Sequence, residues 1–240
     1  MRLLTREALD KAGVEPKINA IEAVPGPARA LLVESFIPGI DFRWMTAGDD
    51  ADALLEEGSP LAEKHRELSA YMIECILRFG EQYGHVLCCR DEDGTFLGSL
   101  CLVPPYSSRK LFTAHFMRAV VPLGRPVPEK LGDDVNARFK AFGDALERSA
   151  EHLLSEEGPC WYIANLGVVP SAQGKGVGRR LVAAAAAIAG DGKLSLECHD
   201  DNVTFYEKLG FDVFDKPLIT APPPSQDGSL QFNVMVRKGE

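Results

Sequence analysis

No apolar run in this chain is long enough to cross a membrane; the longest, Leu181–Ala189, falls far short of the roughly 20 residues a spanning helix needs. Basic residues are outnumbered, 26 Lys and Arg against 35 Asp and Glu, giving a net charge of −9. Nucleic-acid binding wants a basic stripe, so that class of partner is set aside. Histidine and cysteine are sparse and poorly spaced for metal. The five histidines are scattered singly, and the six cysteines, Cys75, Cys88, Cys89, Cys101, Cys160 and Cys198, lie inside apolar runs with no C-x-x-C. Buried free thiols in a reducing compartment and no metal site are expected. The first residues, M-R-L-L-T-R-E, hold no apolar core of a secretory leader, so the expected location is cytoplasmic, with no membrane partner. There is no internal repeat and no stretch composed like a disordered tail.

What is present is an ordinary globular composition, 45% hydrophobic and 25% charged over 240 residues, near one large domain or two small ones and enough to bury a full core; a single domain spanning 1–240 is expected. Ile18–Val24 reads as a first strand. A helix starts at Pro27 and stops before Pro38-Gly39. Asp41–Met45 reads as extended or a turn and carries Phe42 and Trp44. Ser59-Pro60 opens a longer helix on which Leu61, His65, Leu68, Met72, Cys75, Ile76 and Phe79 share a stripe, with Gly80 to Gly84 breaking it. On that stripe His65 reads as a packed core-edge histidine. His85–Arg90 and Thr95–Val103 form a hairpin around Asp91-Glu92-Asp93-Gly94. Leu111–Val121 is ambiguous between helix and strand. Asp133 or Asp134 caps a helix that Gly158-Pro159 stops.

Next come a strand, Cys160–Val169, then a loop and a strong helix former. Lys193–Cys198 is a strand with Leu194, Leu196 and Cys198 on one face and Ser195 and Glu197 on the other. A short helix runs from about Asn202 to Gly210. Val213-Phe214 and Gln231–Arg237 read as two last strands, and the proline-rich segment between them is too long for a tight hairpin.

The loop Gln173–Gly178 has glycines at alternate positions, so its backbone can approach a ligand closely. It feeds a helix whose first N–H groups have no partner within the helix, at the positive end of the dipole. That is a socket for phosphate, with Lys175, Arg179 and Arg180 adding positive charge. A nucleotide P-loop is excluded because Gly176, with no hydroxyl for magnesium, follows Lys175. A dinucleotide fingerprint is excluded because the third glycine comes one residue early. The plainer reading is a glycine-rich strand-to-helix turn.

The remaining pattern, Q-x-x-G-x-G at Gln173–Gly178, resembles the pyrophosphate-binding motif of the GCN5-related N-acetyltransferase (GNAT) family, which holds acetyl-coenzyme A. Downstream, N-V-T-F-Y-E-K-L-G-F at Asn202–Phe211 resembles that family's second signature, in the right order and separated by one helix and one strand. The run from Pro159 to Phe211, with L-G-V-x-P, Q-G-K-G-x-G and F-Y-E-K-L-G-F, is similar to the puromycin N-acetyltransferase-like branch. The resemblance implies an α+β (α/β) fold. Its central sheet is mixed, mostly antiparallel and twisted, has about seven strands flanked by helices, and splays at the strand ending near Val169. It places the cofactor-binding core at about 159–211 and the variable acceptor side at about 1–120 plus the loop 217–229.

The reaction implied is attack of a neutral amine on the acetyl thioester, giving an amide and coenzyme A thiol, without metal. Backbone N–H groups of Gly174, Lys175, Gly176, Val177, Gly178 and Arg179 would take the pyrophosphate, with Gln173 and Arg179 closing over it. Leu166, Gly167 and Val168 would offer main-chain bonds to the pantetheine amides like an added strand. Tyr206 would donate to the departing thiolate, a phenol of pKa about 10 serving a thiol near 8.5. Asn202 would bond the pantetheine arm or cap its helix. Glu197 would take the amine proton, its plainer reading being a solvated strand carboxylate. Cys198 and His199 invite a covalent route, but direct transfer in a ternary complex is what the resemblance implies. The expected partner is a small-molecule primary amine, and the expected assembly a monomer or homodimer. The alternatives are acetylation of protein N-termini or lysines, and a non-catalytic acetyl-coenzyme A sensor.

Overall fold

The computed structural model of the protein describes residues 26–48, 59–124, 127–220 and 228–239. The strand expected at Ile18–Val24 lies outside them. Helix α1 (Gly26–Phe36) and the short α2 (Ile40–Ala47) precede the long α3 (Pro60–Tyr83). The hairpin β1 (His85–Arg90) and β2 (Phe96–Val103) follows, then α4 (Arg109–Val120), α5 (Val127–Leu131) and the 25-residue α6 (Asp133–Glu157). The chain then runs through β3 (Trp161–Val168), α7 (Val177–Ala189), β4 (Leu194–Cys198), α8 (Asp200–Glu207) and β5 (Asp212–Asp215). It ends with β6 (Leu218–Thr220), β7 (Ser229–Gln231) and β8 (Asn233–Arg237).

Among the described residues, six strands form the main sheet in the order β1-β2-β3-β4-β8-β5, with β6 and β7 paired separately. Every neighbouring pair is antiparallel except β3 and β4. The mixed, mostly antiparallel sheet flanked by helices is the expected fold, with six strands among the described residues against about seven expected. The hairpin of β6 and β7 was not foreseen. Its strands flank the proline-rich segment, with 221–228 between them, so the hairpin is not a tight one.

The parallel pair sets up everything that follows. β3 and β4 are in register only at Trp161↔Leu194, Tyr162↔Ser195 and Ile163↔Leu196. Beyond Ile163 the two strands part, leaving Ala164–Val168 on one lip and Glu197 and Cys198 on the other. This is the splay expected near Val169. At the same place β3 carries a bulge: Cys101 pairs with Asn165 and Leu102 with Ile163, so Ala164 has no opposite number on β2.

Strand alternation divides the core. Leu100 and Leu102 pack with Leu181, Val182 and Ala185 of α7. Cys101 and Val103 point to the other face, with Cys75 and Phe79 of α3 and Val120 of α4. α1 closes over the far end of β3, where a Cβ on Gly167 would lie 2.8 Å from Leu32 Cδ2 and from Phe36 Cε2.

Several local expectations need correction. Asp41–Met45 is helical, within α2, because Phe42, Trp44 and Met45 are all buried on one short helix that follows Gly39. Leu111–Val121 resolves as helix α4, with the Ser108 side chain accepting from Leu111 N–H. The helix after Gly132 is capped by that glycine, and Asp133 and Asp134 sit in its first turn. α8 begins at Asp200 with His199 at its N-cap, so Asn202 lies inside the helix and is not its cap. Gly80 does not break α3. It is buried in the last turn, facing Cys101 Sγ.

Candidate active site

A cleft of about 850 Å³ opens where β3 and β4 diverge. One lip is Ala164–Val168, continuing into Gln173, Gly174, Gly176, Val177, Gly178 and Arg179. The other is Glu197, Cys198 and His199, continuing into Asn202, Phe205 and Tyr206. Leu166, Gly167, Val168, Asn202, Tyr206 and Glu197 are therefore brought together with the loop. Lys175 is exposed and does not line the cleft.

The three loop glycines do different work. Gly174 and Gly176 have φ of +73° and +77°, the left-handed region that favours glycine, and Gly176 is the N-cap of α7 with no side chain over it. Gly178 is already helical, and a Cβ there would lie 3.2 Å from Phe205 Cζ. It lets α7 and α8 close up behind the cleft. Gln173 folds back, its Nε2 donating to Val168 O at 3.2 Å, which ties the loop to the end of β3.

Tyr206 is buried, its ring edge-on to Phe205 (centroids 4.9 Å) and Phe211 (5.7 Å). Burial raises its phenol pKa above the ordinary 10, so it stays a protonated donor. Cys198, behind it, donates to Met235 Sδ at 3.5 Å, and burial pushes its thiol up to about 12. A thiol held protonated is a poor nucleophile.

Glu197 is half-buried and lines both this cleft and a second cavity. Burial raises its pKa to about 7, against the hydrogen bond from the Tyr162 hydroxyl and the charge of Arg109, which both favour ionisation. Asp41 of α2 also lines the cleft, and burial raises its pKa.

Asn165 escaped the sequence reading. It is 6% exposed, and its Oδ1 accepts the Cys101 N–H at 2.9 Å beside the bulge. Its Nδ2 is buried without a protein partner on the wall of the cleft. Arg109 and Tyr162 were missed too. The signal for Tyr162 was strand parity, which puts it on the same face as Glu197 across a parallel pair.

Among the described residues, no helix is long and apolar enough to cross a membrane. All six cysteines are free thiols, four of them buried.

Among the described residues the main sheet is opened at its one parallel pair, with a glycine loop and helix N-terminus on one lip and a tyrosine helix on the other. Residues 136–211 match the family described as Acetyltransferase (GNAT) family. The matched segment runs from α6 to Phe211 and includes both signatures. No curated protein matches the sequence significantly. Among solved structures, a mosquito arylalkylamine N-acetyltransferase like 5b is similar at 17% identity, covering 85% of this chain and 95% of that one, with a TM-score of 0.51. An apo-form agmatine N-acetyltransferase variant is similar at 17% identity, covering 92% of this chain and 99% of that one, also with a TM-score of 0.51. The likeness in both cases is one of fold.

Proposed function

We propose that the protein transfers the acetyl group of acetyl-coenzyme A to the primary amine of a small molecule by direct attack in a ternary complex. The observation that carries this reading is the meeting of Tyr206, Glu197 and the glycine loop on one cleft. In it the loop amides and the N-terminus of α7 take the pyrophosphate, assisted by Arg179. The free edge of β3 from Leu166 to Val168 pairs with the pantetheine amides. Asn165 Nδ2, which costs about 1–3 kcal/mol if it stays unpaired, finds its acceptor on the bound thioester.

Glu197 takes the proton of the attacking amine. A carboxylate with a pKa near 7 is matched to that task at neutral pH. The amine nitrogen forms the C–N bond as the C–S bond breaks, and the electron pair leaves on sulfur. Tyr206 donates a hydrogen bond to that developing thiolate. Because its own pKa is raised above that of a thiol, it stabilises the anion without surrendering its proton completely. The two similar acetyltransferases are, by their names, enzymes of small amines, which supports an amine acceptor here.

The test is thiol release from acetyl-coenzyme A against a panel of amines. Amine-dependent release is expected, falling by about tenfold or more in Tyr206→Phe with saturating donor. Release that ignores the amine, or full turnover in Tyr206→Phe, contradicts the proposal.

A further inference from the structure

A second cavity of about 410 Å³ lies on the face of the sheet opposite α7, under α3, α4 and α6. It meets the cleft at Tyr162, Ala164 and Glu197, which line both. Its wall is aromatic: Phe79 lies at the centre of a cluster, 5.1 Å from Phe112 and 5.5 Å from Phe116 by ring centroids, with Tyr106 stacked at 6.4 Å. Such a cavity, apolar with a few convergent polar groups, is the usual form of a small-ligand site.

The charged residues on its wall are Arg109, Glu147 and Glu197. Arg109 Nη2 holds Glu147 Oε2 at 2.7 Å, and its guanidinium lies 4.1 Å from the centre of the Phe112 ring. Glu147 is thus already paired, and Glu197 is the carboxylate left for an incoming amine. From the geometry of this wall we infer that the acceptor is a monoamine with an aromatic or apolar body seated among the Phe79 rings, and that diamines and polyamines are rejected. The inference rests on the acetyl-transfer reading and names its acceptor class. A second ammonium seated in this cavity would lie beside Arg109 or among the rings with no free carboxylate there to receive it, and burying an unpaired charge is costly. An apolar body gains by leaving water. The same surroundings also disfavour the charged form of the reacting amine and so help free its lone pair.

Gly143 of α6 lines this cavity, and a Cβ built there meets nothing within 4 Å. A glycine inside a helix costs roughly 1 kcal/mol relative to alanine, so filling the position extends into the cavity without opposing the helix. The experiment is calorimetric binding of 2-phenylethylamine and of putrescine to the protein saturated with coenzyme A, for wild type, Gly143→Ala and Gly143→Leu. Coenzyme A affinity is measured in each as the control for folding. Turnover of both amines with acetyl-coenzyme A is measured in parallel. Phenylethylamine is expected to bind at least about tenfold more tightly than putrescine. Gly143→Leu is expected to weaken phenylethylamine by about tenfold or more, and Gly143→Ala by less, with coenzyme A affinity unchanged, on the scale of discrimination an apolar pocket gives. Putrescine binding as well as phenylethylamine, or phenylethylamine affinity unchanged in both variants, overturns the inference. Phenylethylamine binding that Gly143→Leu abolishes, without turnover in wild type, upholds the pocket and contradicts acetyl transfer.

Discussion

At the scale of single residues, Glu197 carries the most physical tension. It sits on a strand whose other face is pure core, Leu194 and Leu196, and its carboxyl lies between two cavities. The groups facing it are the Tyr162 hydroxyl from β3, Arg109 from α4 with its partner Glu147 from α6, and the neighbouring Cys198 thiol. Burial outweighs them and lifts its pKa from 4.5 to about 7. The folded protein therefore binds this proton more tightly than the unfolded chain does. Its contribution to stability is fully present below pH 4.5 and is lost as the pH rises through 7. Relative to wild type, Glu197→Gln should flatten the decline in thermal stability across that window, measured as Tm against pH. An unchanged decline would mean the carboxyl is solvated after all.

At the scale of elements, glycines record where backbones approach. Gly80 falls in the last turn of α3, and a Cβ there would lie 2.4 Å from Cys101 Sγ and 3.0 Å from Val86 Cγ2. Helix propensity alone would favour Gly80→Ala by about 1 kcal/mol. The clash should reverse the sign, giving a net loss of about 1–3 kcal/mol by chemical denaturation. A stabilised variant would show that α3 has room to shift from β2. The same position explains a misreading. From sequence Gly80 looks like a helix stop, and only the distance to β2 reveals its packing role. α2 was missed for a related reason: eight residues give too short a window for a helical period, and burial of Phe42, Trp44 and Met45 by α3 and α6 decides its conformation. β1, β2 and β3 were legible to within a residue, because their apolar runs end at strong turn signals.

At the scale of the whole molecule, donor and acceptor sides were unequally legible. The proposed donor side is local: a loop, a helix start and a tyrosine helix lie within 40 residues of one another, so two short motifs resembling the GNAT signatures marked it. The proposed acceptor side is assembled from α3, α4, α6 and the far face of β3 and β4, elements contributed by residues from Tyr71 to Glu197. No short pattern can announce a surface built that way. Arg109, Tyr162 and Asn165 acquire meaning only once the sheet order is known. What joins the two sides is the end of the short parallel register between β3 and β4, where Glu197 faces both cavities.

The pH dependence of kcat/KM for the amine, in wild type and in Glu197→Gln, tests that junction most directly. In wild type the rate should rise with pH through a limb near 7, as the carboxylate forms. In Glu197→Gln that limb should vanish and the rate at neutral pH should fall by about a hundredfold, the scale of a general-base contribution. A variant that keeps the same limb and the same rate would contradict the claim that acetyl transfer occurs at the meeting of the two cavities with Glu197 as its base.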